Sequence, residues 1–85
     1  MNISRDEQRV LHALAQGGVV LVKKDDRRKI LEINCVTREG WTLESCRRDI
    51  FHKLRKRRFI RSRNGGPYRI TREGLGAVRA ELNQR

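Results

Sequence analysis

Large apolar side chains are scarce in this chain. Aromatics make up 5% of its 85 residues, with one tryptophan and one tyrosine, and hydrophobic residues of all kinds reach only 36%. A thin core follows, near the size at which a domain is marginally stable, and a deep cavity for a small-molecule substrate is hard to fit. No apolar run approaches the roughly 20 residues of a membrane-spanning helix. The opening Met1-Asn2-Ile3-Ser4-Arg5-Asp6 lacks the basic-then-apolar order of a signal peptide, so a soluble cytoplasmic protein without a membrane partner is expected. Cysteine is limited to Cys35 and Cys46, which with His12 and His52 make no zinc-finger spacing. The two thiols read as core filling, and no metal or cofactor is expected. No nucleophile elbow, P-loop or histidine-rich metal box is present. Ser45, Cys46 and His52 are close in sequence, but Cys46 belongs to an apolar helical arc and His52 to the opposite side, so they form no catalytic dyad. An enzyme is not expected.

Acid is the other scarcity, with 10 Asp and Glu against 21 Lys and Arg. The imbalance is local. Between Arg47 and Arg63 nine cations (Arg47, Arg48, Lys53, Arg55, Lys56, Arg57, Arg58, Arg61 and Arg63) meet only Asp49, which makes this segment +8 of the net +11. Such a field attracts a polyanion or an acidic protein surface, while its self-repulsion does nothing for the isolated fold. A few cations near a helix C-terminus would complement the dipole at a few tenths of a kcal/mol each, which accounts for two or three of the nine.

The patterning predicts an α+β fold in one small domain over residues 1–85, ordered helix, β-hairpin, basic helix, β-hairpin, helix. Ser4-Arg5-Asp6-Glu7 is a capping box, and Val10, Leu11 and Leu14 line a first helix over about residues 5 to 16, with Gly17-Gly18 stopping it. Val19 to Lys24 and Lys29 to Thr37 flank the polar turn Asp25-Asp26-Arg27-Arg28, with Leu31, Ile33 and Cys35 alternating against Glu32 and Asn34. Ile30 and Val36 break the alternation. After Arg38-Glu39-Gly40, Leu43, Cys46, Ile50, Phe51 and Leu54 recur at helical spacing, with Arg47 intruding on the apolar arc. Phe59 to Arg63 and Pro67 to Thr71 flank Asn64-Gly65-Gly66, a hairpin signal. A three-residue loop pairs Arg63 with Pro67, Ser62 with Tyr68, Arg61 with Arg69 and Ile60 with Ile70, putting Ile60, Tyr68 and Ile70 on one face. Thr71 caps a last helix with Leu75, Val78 and Leu82 on its apolar side, weakened by Gly74 and Gly76. Thr37-Arg38-Glu39-Gly40 repeats as Thr71-Arg72-Glu73-Gly74, which leaves open a short helix at Thr37. His12 and Trp41 read as packing residues.

Arg48, His52, Arg55 and Lys56 gather on the outer side of the basic helix, and Arg61, Arg63 and Arg69 share the outer face of the second hairpin. With Arg58 these are the candidate residues for binding nucleic acid or a protein partner. A basic helix running into an Arg-bearing hairpin and then a helix, over about residues 43 to 84, resembles the second half of a winged-helix domain. The extra hairpin at 19 to 37 stands where a helix-turn-helix has its first short helix.

A wider resemblance spans the chain. The opening Met1 to Arg9, Leu11-His12, Gly17-Gly18, Cys35, Arg38-Glu39-Gly40, Cys46, Phe51 to Leu54, Asn64-Gly65, Pro67-Tyr68-Arg69-Ile70, Gly74-Leu75, Val78-Arg79-Ala80 and Arg85 together resemble the YjhX family of small bacterial proteins. That resemblance implies the toxin of a bacterial toxin–antitoxin pair, proposed to inhibit DNA topoisomerase I by binding it, with an acetyltransferase-like protein as the neutralising antitoxin. It carries no residue roles. The alternative is a winged-helix DNA-binding regulator using the same basic face on DNA.

Overall fold

The computed structural model describes residues 3–83, with side chains described through Arg79. Leu82, expected in the core, lies outside the described side chains. The first helix, α1, runs Arg5–Ala15 behind the expected capping box: the Glu7 amide donates to Ser4 Oγ at 3.1 Å and the Ser4 amide to Glu7 Oε1 at 3.4 Å. Its exit is a two-bond C-terminal motif. The Gly17 amide donates to the Leu14 carbonyl and the Gly18 amide to the Ala13 carbonyl, with Gly17 left-handed at φ 108°.

Strands β1 (Val19–Lys24) and β2 (Ile30–Val36) pair antiparallel from Val19↔Val36 inward, as expected. One expected feature fails. Leu31, assigned to the apolar face, is 52% exposed, and Ile30 packs against the core instead. The cause is a bulge: Lys23 pairs with Glu32 but Lys24 with Ile30, so Leu31 is the extra residue and the faces exchange across it.

The chain then makes a turn rather than a helix at Thr37, with the Gly40 amide on the Thr37 carbonyl at 2.9 Å and Gly40 left-handed at φ 94°. A short strand comes next that the sequence pattern did not reveal. In β3 (Thr42–Leu43), Leu43 pairs with Cys35 and Thr42 with Val36. The basic helix, α2, therefore starts at Arg48 and ends at Lys56, not at Leu43. Leu43 and Cys46 do face the core, but from the edge strand and the helix lead-in, so burial alone mimicked helical spacing. Arg47 is the N-cap residue, not an intruder on the apolar arc.

Strands β4 (Ile60–Ser62) and β5 (Tyr68–Ile70) pair as expected, Ile60↔Ile70, Arg61↔Arg69 and Ser62↔Tyr68. The turn between them closes with the Gly66 amide on the Arg63 carbonyl at 3.0 Å, and Asn64 and Gly65 supply the two positive φ angles, 55° and 73°. β5 also pairs with β1 through Val20↔Tyr68, giving one antiparallel sheet in the order β3-β2-β1-β5-β4.

The last helix, α3 (Arg72–Asn83), begins as expected at Thr71, whose Oγ1 accepts the Gly74 amide at 3.1 Å. Its core contacts are Ala77 and Val78, while Leu75 is only half-buried. Gly74 decides this: a Cβ there would stand 2.5 Å from the Phe59 carbonyl oxygen and 2.7 Å from Ile70 Cγ1, so the glycine side of the helix makes the closest approach. Of the two glycines read as weakening, Gly74 is what lets the helix dock, while Gly76 has open space around it.

One core joins Val10, Leu11 and Leu14 of α1, Ile50, Phe51 and Leu54 of α2, Ala77 and Val78 of α3, and Val20, Cys35 and Ile60 of the sheet. All three helices thus cover one sheet face, and Leu21, Arg61 and Arg69 are exposed on the other. The architecture is α+β. Two expected packing residues are outside it: His12 is exposed, its ring 3.3 Å from the Gln16 amide nitrogen, and Trp41 is 74% exposed. Among the described residues no helix is long and apolar enough to cross a membrane.

Candidate nucleic-acid interface

Two of the nine clustered cations form ion pairs with α1. Arg47 and Arg57 stand at the two caps of α2, and both reach the acidic first turn of α1: Arg47 Nη2 lies 2.9 Å from Asp6 Oδ2 and Arg57 Nη1 3.5 Å from Glu7 Oε2. Glu7 is 2% exposed, so Arg57 answers a buried carboxylate, whereas the exposed Arg47 pairs contribute little. Arg48, expected on the binding face, is drawn elsewhere: its Nη2 donates to the Ile30 carbonyl at 2.9 Å, at the end of the first hairpin.

The remaining cations are placed by the end of α2, the β4–β5 hairpin and the start of α3. Arg58 donates its amide to the Arg55 carbonyl at 3.0 Å and Phe59 to the Leu54 carbonyl at 2.9 Å, the same two-bond exit that closes α1. Phe59 and Ile60 then turn into the core at 4% and 3% exposure and anchor β4. Tyr68 meets Phe51 edge to face, ring centroids 5.0 Å apart at 87°, which fixes the hairpin against α2. The His52 ring leans on the same Phe51 at 5.5 Å. Thr71 ties the hairpin to the helix end, donating its hydroxyl to the Arg58 carbonyl at 2.6 Å.

Between the C-terminus of α2, the β4–β5 hairpin and the start of α3 lies an open groove of about 980 Å³. Arg55, Arg58, Arg61, Arg63, Arg69 and Arg72 line it, with Glu73 as the acid and Ile60, Ile70 and Pro67 among the apolar lining. Arg61 and Arg69 are direct cross-strand partners, a like-charge pairing that weakens the hairpin. Five of the eight candidate residues thus meet in one place. His52 and Lys56 are exposed on α2 outside the groove lining, and Arg48 is turned away. Arg72 was missed, although its position right after the capping Thr71 marks it as a first-turn residue beside the hairpin.

Elsewhere, Cys35 and Cys46 are both buried. Their mutual hydrogen bond lowers the Cys35 thiol and, with burial and the charge of Cys35, pushes Cys46 far up, so Cys46 stays protonated. Among the described residues no cluster of three or more His, Cys, Asp or Glu could hold a metal ion.

The chain matches the YjhX toxin family, described as "Putative toxin of bacterial toxin-antitoxin pair", over residues 1–85. It is 62% identical over 85 residues to a UPF0386 protein of Parvibaculum lavamentivorans, covering 100% of both chains. A UPF0386 protein of Rhodospirillum centenum is 59% identical, with 100% of this chain and 99% of that one aligned. One from Caulobacter vibrioides is 51% identical, with 100% and 93% aligned. No solved structure matches. The chain belongs to the YjhX toxin family. A toxin of such a pair implies an antitoxin partner.

Proposed function

We propose that this member of the YjhX toxin family acts in the cytoplasm by binding rather than by chemistry, and that it inhibits bacterial DNA topoisomerase I by seating its arginine groove on the enzyme engaged with DNA. The observation that carries this reading is the partition of the cations. Arg47 and Arg57 neutralise acids of α1, while six arginines line one groove against a single acid, Glu73. Concentrating them there gains free energy only when a polyanion arrives and displaces their counterions. The antitoxin, acetyltransferase-like by family resemblance, would neutralise the protein by covering that face. The test is relaxation of supercoiled DNA by topoisomerase I. Wild-type protein should inhibit it, and a variant carrying Gln at Arg55, Arg61, Arg63 and Arg69 should not. Equal inhibition by both would contradict the reading.

A second reading, a DNA-binding regulator, is favoured by the element order: α2 runs into the β4–β5 hairpin and α3, and β5 returns beside β1, an arrangement like that of a winged-helix domain. Duplex binding that is lost in the groove variant, without any effect on topoisomerase I, selects this reading over the first.

A further inference from the structure

We propose that Arg58 grips the phosphodiester backbone of a nucleic acid, its guanidinium held in place by a backbone conformation that weakens the fold. This rests on the groove being the binding surface. The starting observation is a mismatch between two equivalent positions. Both α1 and α2 end with the same pair of hydrogen bonds, and the residue that must turn left-handed is Gly17 at φ 108° in the first and Arg58 at φ 60° in the second. Glycine takes that conformation freely, and a residue with a Cβ is strained there. Charge adds to the mismatch, because Arg58 shares the groove with five other arginines.

Among the described residues no side chain offsets either cost. Among the described residues no hydrogen bond or ion pair engages the Arg58 guanidinium, and the residue is exposed. Its backbone, by contrast, is fixed on both sides, by the amide bond to the Arg55 carbonyl at 3.0 Å and by the Thr71 hydroxyl on its own carbonyl at 2.6 Å. The Phe59 carbonyl beyond it accepts the Thr71 amide at 2.9 Å. Arg58 therefore leaves a rigid junction of α2, the hairpin and α3 and enters the groove from a defined origin. A strained residue whose surroundings over-determine it is the pattern of a binding clamp. The guanidinium offers a planar fork of donors matched to two phosphate oxygens. The groove lining contains no aromatic ring on which a base could stack, so the backbone is the part of the nucleic acid it fits.

The molecule contains its own control. Arg28 is left-handed as well, at φ 63°, in the β1–β2 turn and outside the groove lining. Arg58→Gly, Arg28→Gly and the Arg55/Arg61/Arg63/Arg69→Gln groove variant are compared in the full chain by thermal unfolding and by affinity for a short DNA duplex across a salt series. Both glycine variants should raise the melting midpoint by about 4–8 °C. Arg28→Gly should bind as wild type. Arg58→Gly should bind on the order of tenfold more weakly at low salt, with a log–log salt slope shallower by about 1. If Arg58→Gly binds as tightly as wild type, or melts lower, the proposal is wrong, the second result showing a structural side chain. Should the groove variant lose binding while Arg58→Gly does not, only this inference falls. When the groove variant also binds as wild type, the reading of the groove falls with it. Capture of polyglutamate but not of the duplex would replace the nucleic acid with an acidic protein as ligand.

Discussion

The two halves of the chain repeat one plan, a helix with a two-bond exit followed by an antiparallel hairpin, and they differ in what that plan carries. Through Cys46 the sequence holds eight basic and seven acidic residues, and α1 ends on Gly17, the residue its geometry favours. From Arg47 to Arg63 the ratio is nine to one, α2 ends on a left-handed Arg58, and Arg61 faces Arg69 across the hairpin. The first half follows local preference at its helix cap and helix exit, although Arg28 in the β1–β2 turn is left-handed. The second violates helix-exit preference and cross-strand charge pairing within a few residues of each other, and both violations border one groove. Local conflicts of this kind concentrate where a surface is shaped for a partner.

The comparison breaks most visibly if the helix and the hairpin of the second half do not share one core. Phe51 is fully buried and meets Tyr68 edge to face, so Phe51→Ala should cost about 3–5 kcal/mol in chemical denaturation. A loss below 1 kcal/mol would mean that the hairpin is not anchored on α2. Next comes the docking of α3. Gly74→Ala forces a Cβ to within 2.5 Å of the Phe59 carbonyl oxygen and should destabilise by about 1–3 kcal/mol, although alanine is the better helix former. The same change at Gly76, which has open space around it, should stabilise, and denaturant midpoints of the two variants should move in opposite directions.

A smaller effect tests the link between halves. Arg57→Gln leaves the buried Glu7 carboxylate without its cation, and because Arg57 is itself partly exposed the loss should be about 1–2 kcal/mol by the same measurement. Smallest of all, Arg61→Thr with Arg69→Thr removes a like-charge cross-strand pair and should raise stability by about 0.2–1 kcal/mol. A fall in the melting midpoint would show that these arginines support the fold.

The repeated tetrapeptide shows why some of this was legible and some was not. Thr71-Arg72-Glu73-Gly74 caps and starts α3, as its pattern predicts, whereas Thr37-Arg38-Glu39-Gly40 makes a turn in which Gly40 is left-handed. Local chemistry is the same in both. The downstream residues and their tertiary partners decide: Thr42 and Leu43 find the open edge of β2, while Gly74 lets α3 close onto Phe59 and Ile70. The capping box, both hairpins and the Ile60↔Ile70 register depend on spacing within a few residues and were readable. The bulge at Leu31, strand β3 and the start of α2 depend on tertiary pairing and were not. In the candidate site the charge was readable but its use was not. Arg48 reaches Ile30 from across the fold, 18 residues away in sequence, and Arg72 joins the groove because Thr71 turns the chain there.

On the proposed reading the groove arginines bind, whereas of the two paired with α1 it is chiefly Arg57 that serves the fold. Duplex affinity and melting midpoint measured together on two variants test this division most directly, one with Gln at Arg47 and Arg57, the other with Gln at Arg55, Arg61, Arg63 and Arg69. The first should melt lower yet bind like wild type while folded, and the second should melt no lower and lose binding. The reverse assignment, stability lost from the groove variant and affinity lost from the other, would contradict it.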